Sequence, residues 1–337
     1  MNKKQIVTVL NMFAKRVESL YCQPWEFINN KNNKTVIDSM RQELKAGPDS
    51  MPITITVNVI NALSNNKGAQ DAHALSALWL WNRSLKVFDF DKYLSSELST
   101  NVNLSDIPVD RFYRLPVPCP FIVFPIPELD IFGFFAYVDR SFETDEMRFT
   151  VLSSDGSWHS PYWFNMKYDN ALKGFYNQVE EDKKTDWFAE LSRNANPAQD
   201  ENVKYDPSLL PVFANFAMYL TADNIDSQPR QATVKKAQGK PVYISNQSPE
   251  INNVGYRIGE AYNRYVERSK YENNAEQVNS DRKMPPHIRK AHWHTFFKGP
   301  KGENRQIVVH WLSAISVNFN LNENVVPTIH DVKRPIS

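Results

Sequence analysis

The stretch IFGFFAYV at residues 131–138 is central to the fold, because aromatic and β-branched residues dominate it and such residues favour β-strands. Residues 112–124 and 147–152 have a similar composition, and prolines occur only in the first of these runs, as is typical of an edge strand. An Asp-Gly turn at residues 155–156 predicts a hairpin into a further strand at residues 158–166. The middle of the chain is therefore predicted to be antiparallel and strand-rich.

The region before these strands is predicted to be helical. Apolar residues recur at helical spacing near the N-terminus, namely Val7, Leu10, Phe13, Val17 and Leu20. Residues 35–46 form a second candidate helix, and residues 71–81 are apolar on nearly every side, as in a buried helix. Near the C-terminus, residues 286–297 and 306–317 favour two strands of a hairpin around the loop KGPKGENR. We therefore expect an α+β protein with a helical N-terminal part, an antiparallel strand-rich middle and a C-terminal β-hairpin unit.

Shifts in composition along the chain predict four parts and a tail. We expect a mostly helical subdomain at residues 1–110, a mixed strand and helix core subdomain at 111–226, a polar linker at 227–253, a basic unit rich in histidine and aromatic residues at 254–320, and a tail at 321–337. Hydrophobic residues make up 42% of the 337 residues, which is enough apolar material for two packed subdomains.

Several classes of protein are excluded or disfavoured by what the sequence lacks. Cys22 and Cys119 lie far apart with no CxxC spacing, so a disulfide scaffold or a cysteine zinc site is not expected, and a reducing cytoplasm fits. The most apolar region, residues 115–138, is interrupted by prolines and acidic residues and cannot form a spanning helix, so we expect no membrane contact. No GxGxxG, P-loop or GxSxG pattern occurs, and no cofactor is expected.

Charge is distributed unevenly along the chain. The formal net charge is only +1, but residues 282–311 contain seven basic residues and a single acidic one, Glu303. Four aromatic residues in this segment offer faces on which bases can stack, namely Trp293, Phe296, Phe297 and Trp311. The candidate contacts to RNA or to the ribosome are Arg289, Lys290, His292, Trp293, His294, Lys298, Lys301 and Arg305. A solvated hairpin whose aromatic side chains pack inward is the alternative interpretation.

Histidine is concentrated in the same segment. Four of the seven histidines lie there, namely His287, His292, His294 and His310. On a strand, His292 and His294 project from one face because side chains alternate with a period of two, and His310 lies on the partner strand. In the right register the three imidazoles of His292, His294 and His310 converge on a metal or a scissile phosphate, which would make them catalytic in RNA cleavage. No carboxylate stands at a ligand-like spacing, so no metal ligand is assigned, and buried hydrogen-bonded histidines are the other interpretation.

A DxD pattern offers one further candidate site. Asp89 and Asp91 would lie on one face of a short strand at residues 86–90. The pattern fits either a divalent metal site or the solvated side of an edge strand.

The segment PHIRKAHWH at residues 286–294, with two phenylalanines and a glycine close behind, resembles the C-terminal signature of a type V-A anti-CRISPR family that inhibits biogenesis of the CRISPR nuclease. The strand IVVHW at residues 307–311 looks like the closing strand of the same family. Further similarities upstream extend the match to about residues 70–320, namely IGE at 258–260, LLP at 209–211, WNR at 81–83 with Leu85, and FGFF at 132–135 with Ala136. This chain differs from the signature at Lys290 and Ala291, where arginine and glycine are expected; lysine lacks the planar fork for a bidentate phosphate contact.

The resemblance implies a protein of a mobile element that acts in the cytoplasm of a bacterial host. Members sense the nascent N-terminal peptide of the nuclease at the ribosome and bring about loss of its messenger RNA, so the implied partners are that peptide and the ribosome or the mRNA. The aromatic strands of residues 112–164 are candidate material for a peptide groove, although no peptide-binding residue is assigned. An RNA-cleaving enzyme and a nucleic-acid-associated plasmid protein without a role in defence are the alternatives.

Overall fold

The computed structural model describes most of the chain, and its fold is α+β as predicted. The described residues are 2–47, 50–64, 69–100, 105, 107–140, 145–182, 208–230, 236–237, 240–241, 249–258, 287–289, 291–299, 305–313, 315–317 and 328–329. They form two compact units. The first is drawn from residues 1–89, 101–221 and 228–253, and the second from residues 90–100, 222–227 and 254–337.

The first unit begins with five helices: α1 (Lys3–Leu20), α2 (Cys22–Asn29), α3 (Lys34–Glu43), α4 (Ile53–Leu63) and α5 (Ala69–Asn82). The side chain of Asn2 accepts a hydrogen bond from the backbone N–H of Lys4 and caps α1. The buried stripe of α1 comprises Ile6, Val9, Leu10, Phe13 and Val17. Leu20, which the spacing assigned to this stripe, is instead 49% exposed at the last turn of the helix.

A seven-stranded sheet forms the centre of the first unit. Its strands are β1 (Lys86–Phe90), β2 (Phe121–Ile126), β3 (Ile131–Asp139), β4 (Glu146–Leu152), β5 (Trp158–Asn165), β6 (Ser227–Pro229) and β9 (Glu250–Val254), in the order β5-β4-β3-β2-β1-β9-β6. Strands β2 to β5 form an antiparallel meander, whereas β1 runs parallel to β2. Gly156 at the β4–β5 turn has φ +79°, as the Asp-Gly signal requires.

The prediction that the first strand of this region is an edge strand is wrong. β2 lies between β1 and β3, and it begins only at Phe121, because residues 109–114 form a 3-10 helix and three prolines precede the strand. Pro125 is accommodated because the β2–β3 register shifts between Val123 and Ile126, so the missing proline N–H falls at a bulge.

Both faces of the sheet are buried, which explains the unbroken apolar run of β3. On one face the ring of Phe135 lies 5.2 Å from that of Phe13 in α1 and 5.8 Å from that of Trp81 in α5. On the other face the ring of Phe134 lies 4.5 Å from that of Phe213 in α8 (Leu209–Tyr219). Helix α7 (Ala171–Asp182) follows β5.

The segment 227–253, predicted as a linker, contributes strands β6 and β9 and a short pair, β7 (Lys236–Ala237) with β8 (Lys240–Pro241). Arg230 of this segment bonds Asp89 of β1 and the side chain of Asn253.

The second unit contains helix α6 (Lys92–Ser99), the turn at residues 222–227 and the C-terminal strands. Strands β11 (His292–Lys298) and β12 (Gln306–Leu312) form the predicted hairpin. Strands β10 (His287–Arg289), β13 (Ile315–Val317) and β14 (Thr328–Ile329) form a separate sheet in the order β13-β10-β14. The sequence also predicts a charged helix at residues 260–271, which lie outside the described residues. No described helix combines the length and the apolar character needed to cross a membrane.

Candidate nucleic-acid interface

The register of the β11–β12 hairpin brings three histidines to one face. His294 stands directly opposite His310, and His292 stands opposite Leu312. Residues 292, 294 and 296 alternate to the same side of β11, so Phe296 joins the imidazoles. We call His292, His294, Phe296 and His310 the histidine face.

The rings of the histidine face are in contact and largely exposed. The ring centroid of Phe296 lies 4.3 Å from that of His294 and 5.0 Å from that of His310. His292 and His294 lie 6.3 Å apart. His292 and His294 are exposed, His310 is half-buried, and Phe296 is 40% exposed. His292 and His294 are therefore not buried as the alternative interpretation expects, whereas His310 is partly buried.

The opposite face of the hairpin packs inward at its Trp293 and Trp311 end, while Phe297 and Ile307 at the other end are exposed. Trp293 and Trp311 meet edge to face with ring centroids 5.1 Å apart, and Val309 and Trp311 are nearly fully buried. The indole N–H of Trp311 donates to Glu97 of α6 at 3.3 Å. Trp311 is thus committed to the interior of the second unit and does not offer a face to a base.

The turn at residues 222–227 holds the outer edge of β12, and sequence reasoning did not find it. The backbone N–H of Val309 donates to the carboxylate of Asp223 at 2.8 Å, while the backbone N–H of Asp223 donates to the Val309 carbonyl. The side chain of Asn224 accepts a hydrogen bond from the backbone N–H of Trp311 and donates one to the backbone carbonyl of Trp311. These pairs imitate a third strand. Nothing in the sequence near residue 223 signals a partner 86 residues away.

The basic residues predicted to contact RNA fall into three groups. Lys298 ends β11 and Arg305 precedes β12, and both are exposed. The backbone of Arg289 lies in β10, which belongs to the other sheet of this unit; β10 also contains His287 of the histidine-rich segment. Lys290 and Lys301 lie outside the described residues. The described hairpin residues, 291–299 and 305–313, include no acidic side chain.

The two metal-site hypotheses find no support among the described residues, where no group of three or more His, Cys, Asp or Glu side chains is arranged to hold a metal ion. The DxD interpretation of Asp89 and Asp91 is wrong in both versions. Asp89 is buried on the internal strand β1, where its carboxylate accepts a hydrogen bond from Arg230. Asp91 is the N-cap of α6, and its side chain accepts a hydrogen bond from the backbone N–H of Tyr93.

A buried charge cluster in the first unit also escaped sequence reasoning. Arg148 on β4 pairs with Glu146 and, at 3.2 Å, with Asp139 on β3. Burial alone would lower the pKa of the Arg148 guanidinium, but the two carboxylates raise it, so the arginine stays charged. Asp139 also accepts from the backbone N–H of Ile53 at the start of α4. The cluster joins a helix to the sheet and is architectural.

Comparison with known proteins gives two matches. The family model described as AcrVA2-like, the anti-CRISPR type V subtype A2 family, matches residues 88–319, which is more than half of the chain. A solved crystal structure of AcrVA2 is similar with a TM-score of 0.55 and 17% sequence identity, covering 92% of this chain and 99% of that chain. At this identity the structural likeness shows a common fold. No curated protein matches the sequence.

Proposed function

Because the chain belongs to the AcrVA2-like family of type V anti-CRISPR proteins, we propose that it lowers production of a type V-A CRISPR nuclease by recognising the nascent N-terminal peptide of that nuclease and promoting loss of its messenger RNA. Family membership is the observation that carries this proposal. The basic, aromatic hairpin supports it, because a protein that acts on a translated message needs a surface compatible with RNA or the ribosome. We assign that contact to the hairpin residues His292, His294, Lys298 and Arg305, and to Arg289, Lys290 and Lys301 nearby in the sequence.

The aromatic strands of residues 112–164 were the candidate material for a peptide groove. Several of their aromatic side chains are fully buried in the core and do not line a groove, namely Phe121, Phe134, Phe135, Phe149 and Phe164. No peptide-binding residue is assigned.

The test is to change the nascent peptide and the codons separately. A nuclease transcript with its native start, one recoded with synonymous codons and one recoded to a different peptide are each expressed with and without this protein, and transcript levels are measured. We expect the transcript to fall for the first two and to persist for the third. Loss of the third transcript would contradict recognition of the peptide.

RNA cleavage by the hairpin is the second candidate function, and the direct opposition of His294 and His310 favours it. An exposed and a half-buried imidazole on one face suit a general base and a general acid. Purified protein with end-labelled RNA tests this: cleavage that His294→Ala and His310→Ala abolish, and Phe297→Ala preserves, supports it. Intact RNA with the wild-type protein, with and without divalent cations, rejects it.

A further inference from the structure

We propose that the histidine face is a binding site for single-stranded RNA, in which a base stacks on Phe296 and the neighbouring cations bind the flanking phosphates. This inference rests on the proposed function and deepens it, because it names the RNA form and the residue that receives the base.

The position of Phe296 is the first reason. A phenylalanine side chain is normally buried, and burial stabilises it by about 1.5–3 kcal/mol. Phe296 remains 40% exposed although it has two aromatic neighbours. The rings of His294 and His310 meet it at interplanar angles of 66° and 57°, so neither imidazole stacks parallel on it. The part of the Phe296 ring that stays exposed is the surface we assign to a flat partner.

Charge complementarity is the second reason, and it selects a polyanion. Lys298 lies two residues after Phe296 and therefore on the same side of β11, and Arg305 is exposed at the start of β12. The described hairpin residues, 291–299 and 305–313, carry no acidic side chain that would repel a phosphate. Aromatic and imidazole rings beside these cations match the bases and phosphates of a nucleic-acid strand, whereas an acidic peptide would leave the Phe296 ring without a flat partner.

The combination also favours a single strand over a duplex. Base faces are stacked on one another inside a duplex, and only unpaired bases can stack on a side chain. The two tryptophans stabilise the hairpin rather than contact the RNA, because Trp311 is buried and Trp293 packs on it.

Phe296 and Phe297 provide a matched pair for the test. They are adjacent and both exposed, at 40% and 61%, but they lie on opposite sides of β11. Binding of a fluorescent single-stranded RNA of about 12 nucleotides, within the usual site size, is measured by anisotropy for wild type, Phe296→Ala, Phe296→Trp and Phe297→Ala.

We expect Phe296→Ala to weaken binding about 5- to 150-fold, as the loss of one stacked base would, and Phe296→Trp to retain it. Phe297→Ala should stay within about twofold of wild type, since it removes apolar surface from the other side. Equal losses for both alanine variants, equal affinity for duplex RNA, or binding of a polyglutamate peptide in place of RNA would overturn the proposal.

This measurement is independent of the nascent-peptide proposal. The anisotropy experiment contains no ribosome, and the codon-recoding experiment does not depend on the affinity of the purified protein for RNA. A protein that binds no RNA but still removes the transcript in a peptide-dependent way would refute the stacking site alone.

Discussion

Adjacent residues of the same type have opposite roles in this protein, and the period-two alternation of a strand is the reason. Phe134 contacts Phe149 and Phe213 on one face of the sheet, while Phe135 contacts Phe13 and Trp81 on the other. The same alternation separates Phe296 from Phe297 on the hairpin. The role of a single residue therefore depends on which face its position selects.

Gly133 is a position where no side chain fits. A Cβ atom there would lie 2.4 Å from the carbonyl oxygen of Ile122 and 2.8 Å from the ring of Phe121, both on the neighbouring strand. We expect Gly133→Ala to lower the free energy of unfolding by about 1–3 kcal/mol, as overpacking in a core does. Gly47→Ala is the control, because its nearest neighbour would be a side-chain atom of Arg140 at 3.9 Å. Similar urea midpoints for the two variants would contradict this prediction, because they would mean that β2 and β3 accommodate the added methyl group without loss of stability.

His73 predicts a dependence of stability on pH. Its Nδ1 atom is buried without a hydrogen-bond partner, and burial, helped by the charge of Arg148, holds the pKa of its imidazole well below 6.5. The folded state keeps His73 neutral while the unfolded state takes up a proton below that pH. The contribution of neutral His73 to the free energy of unfolding is therefore fully present above pH 6.5 and is lost as the pH falls below it.

From pH 7 to pH 5 this loss amounts to up to about 2 kcal/mol. Urea denaturation at both pH values should show the wild type losing more stability than His73→Gln, whose side chain does not titrate. Parallel pH profiles for the two proteins would rule out the assignment.

At the scale of elements, strands β3 and β4 are joined to α4 by charge as well as by apolar packing. Asp139 and Glu146 are cross-strand partners in the register, and Arg148 pairs with both. The guanidinium also lies 4.9 Å from the ring of Trp163 on β5. One cation thus contacts side chains of three strands, and its partner Asp139 also accepts the hydrogen bond from Ile53 at the start of α4.

Removing that cation should be costly. Arg148→Met keeps most of the side-chain length but leaves two buried carboxylates without the guanidinium, which we expect to destabilise the fold by about 3–5 kcal/mol. Arg16→Met is the control, since the Arg16–Asp155 pair is 48% and 58% exposed and such surface pairs contribute about 0–1 kcal/mol. Thermal and urea denaturation compare the two; equal effects would mean that apolar packing alone holds these elements.

At the scale of the whole molecule, the net charge of +1 provides little long-range attraction for RNA, so affinity has to come from local cations. We expect the double variant Lys298→Gln/Arg305→Gln to reduce the slope of log affinity against log salt by about 1.4, or 0.7 for each lost phosphate contact. Lys31→Gln/Lys34→Gln changes the net charge equally, on exposed residues of the first unit. An equal change in slope for both double variants would contradict a local site.

Much of the fold could be predicted because its signals are local. The helical N-terminus, the aromatic strands, the Asp-Gly turn and the basic hairpin follow from spacing, composition and turn chemistry, each of which acts within a few residues. The PHIRKAHWH segment pointed to the correct family for the same reason. The prediction that β2 is an edge strand was wrong because the missing N–H of Pro125 falls at a bulge, where no ladder hydrogen bond is lost. Such a bulge is a property of strand pairing and is not visible in the local sequence.

The sequence by itself therefore determined the helical N-terminus, the aromatic strands and the basic hairpin, the face of the hairpin strand that carries His292 and His294, and the family to which the chain belongs. Only the tertiary structure decided that His294 stands opposite His310, that Trp311 turns inward to Glu97 while Phe296 stays exposed, and that Arg148 is neutralised by Asp139 and Glu146. The physical reason is range. Propensity and periodicity act between neighbours in the chain, whereas register, burial and ion pairing are set by contacts between residues far apart in sequence.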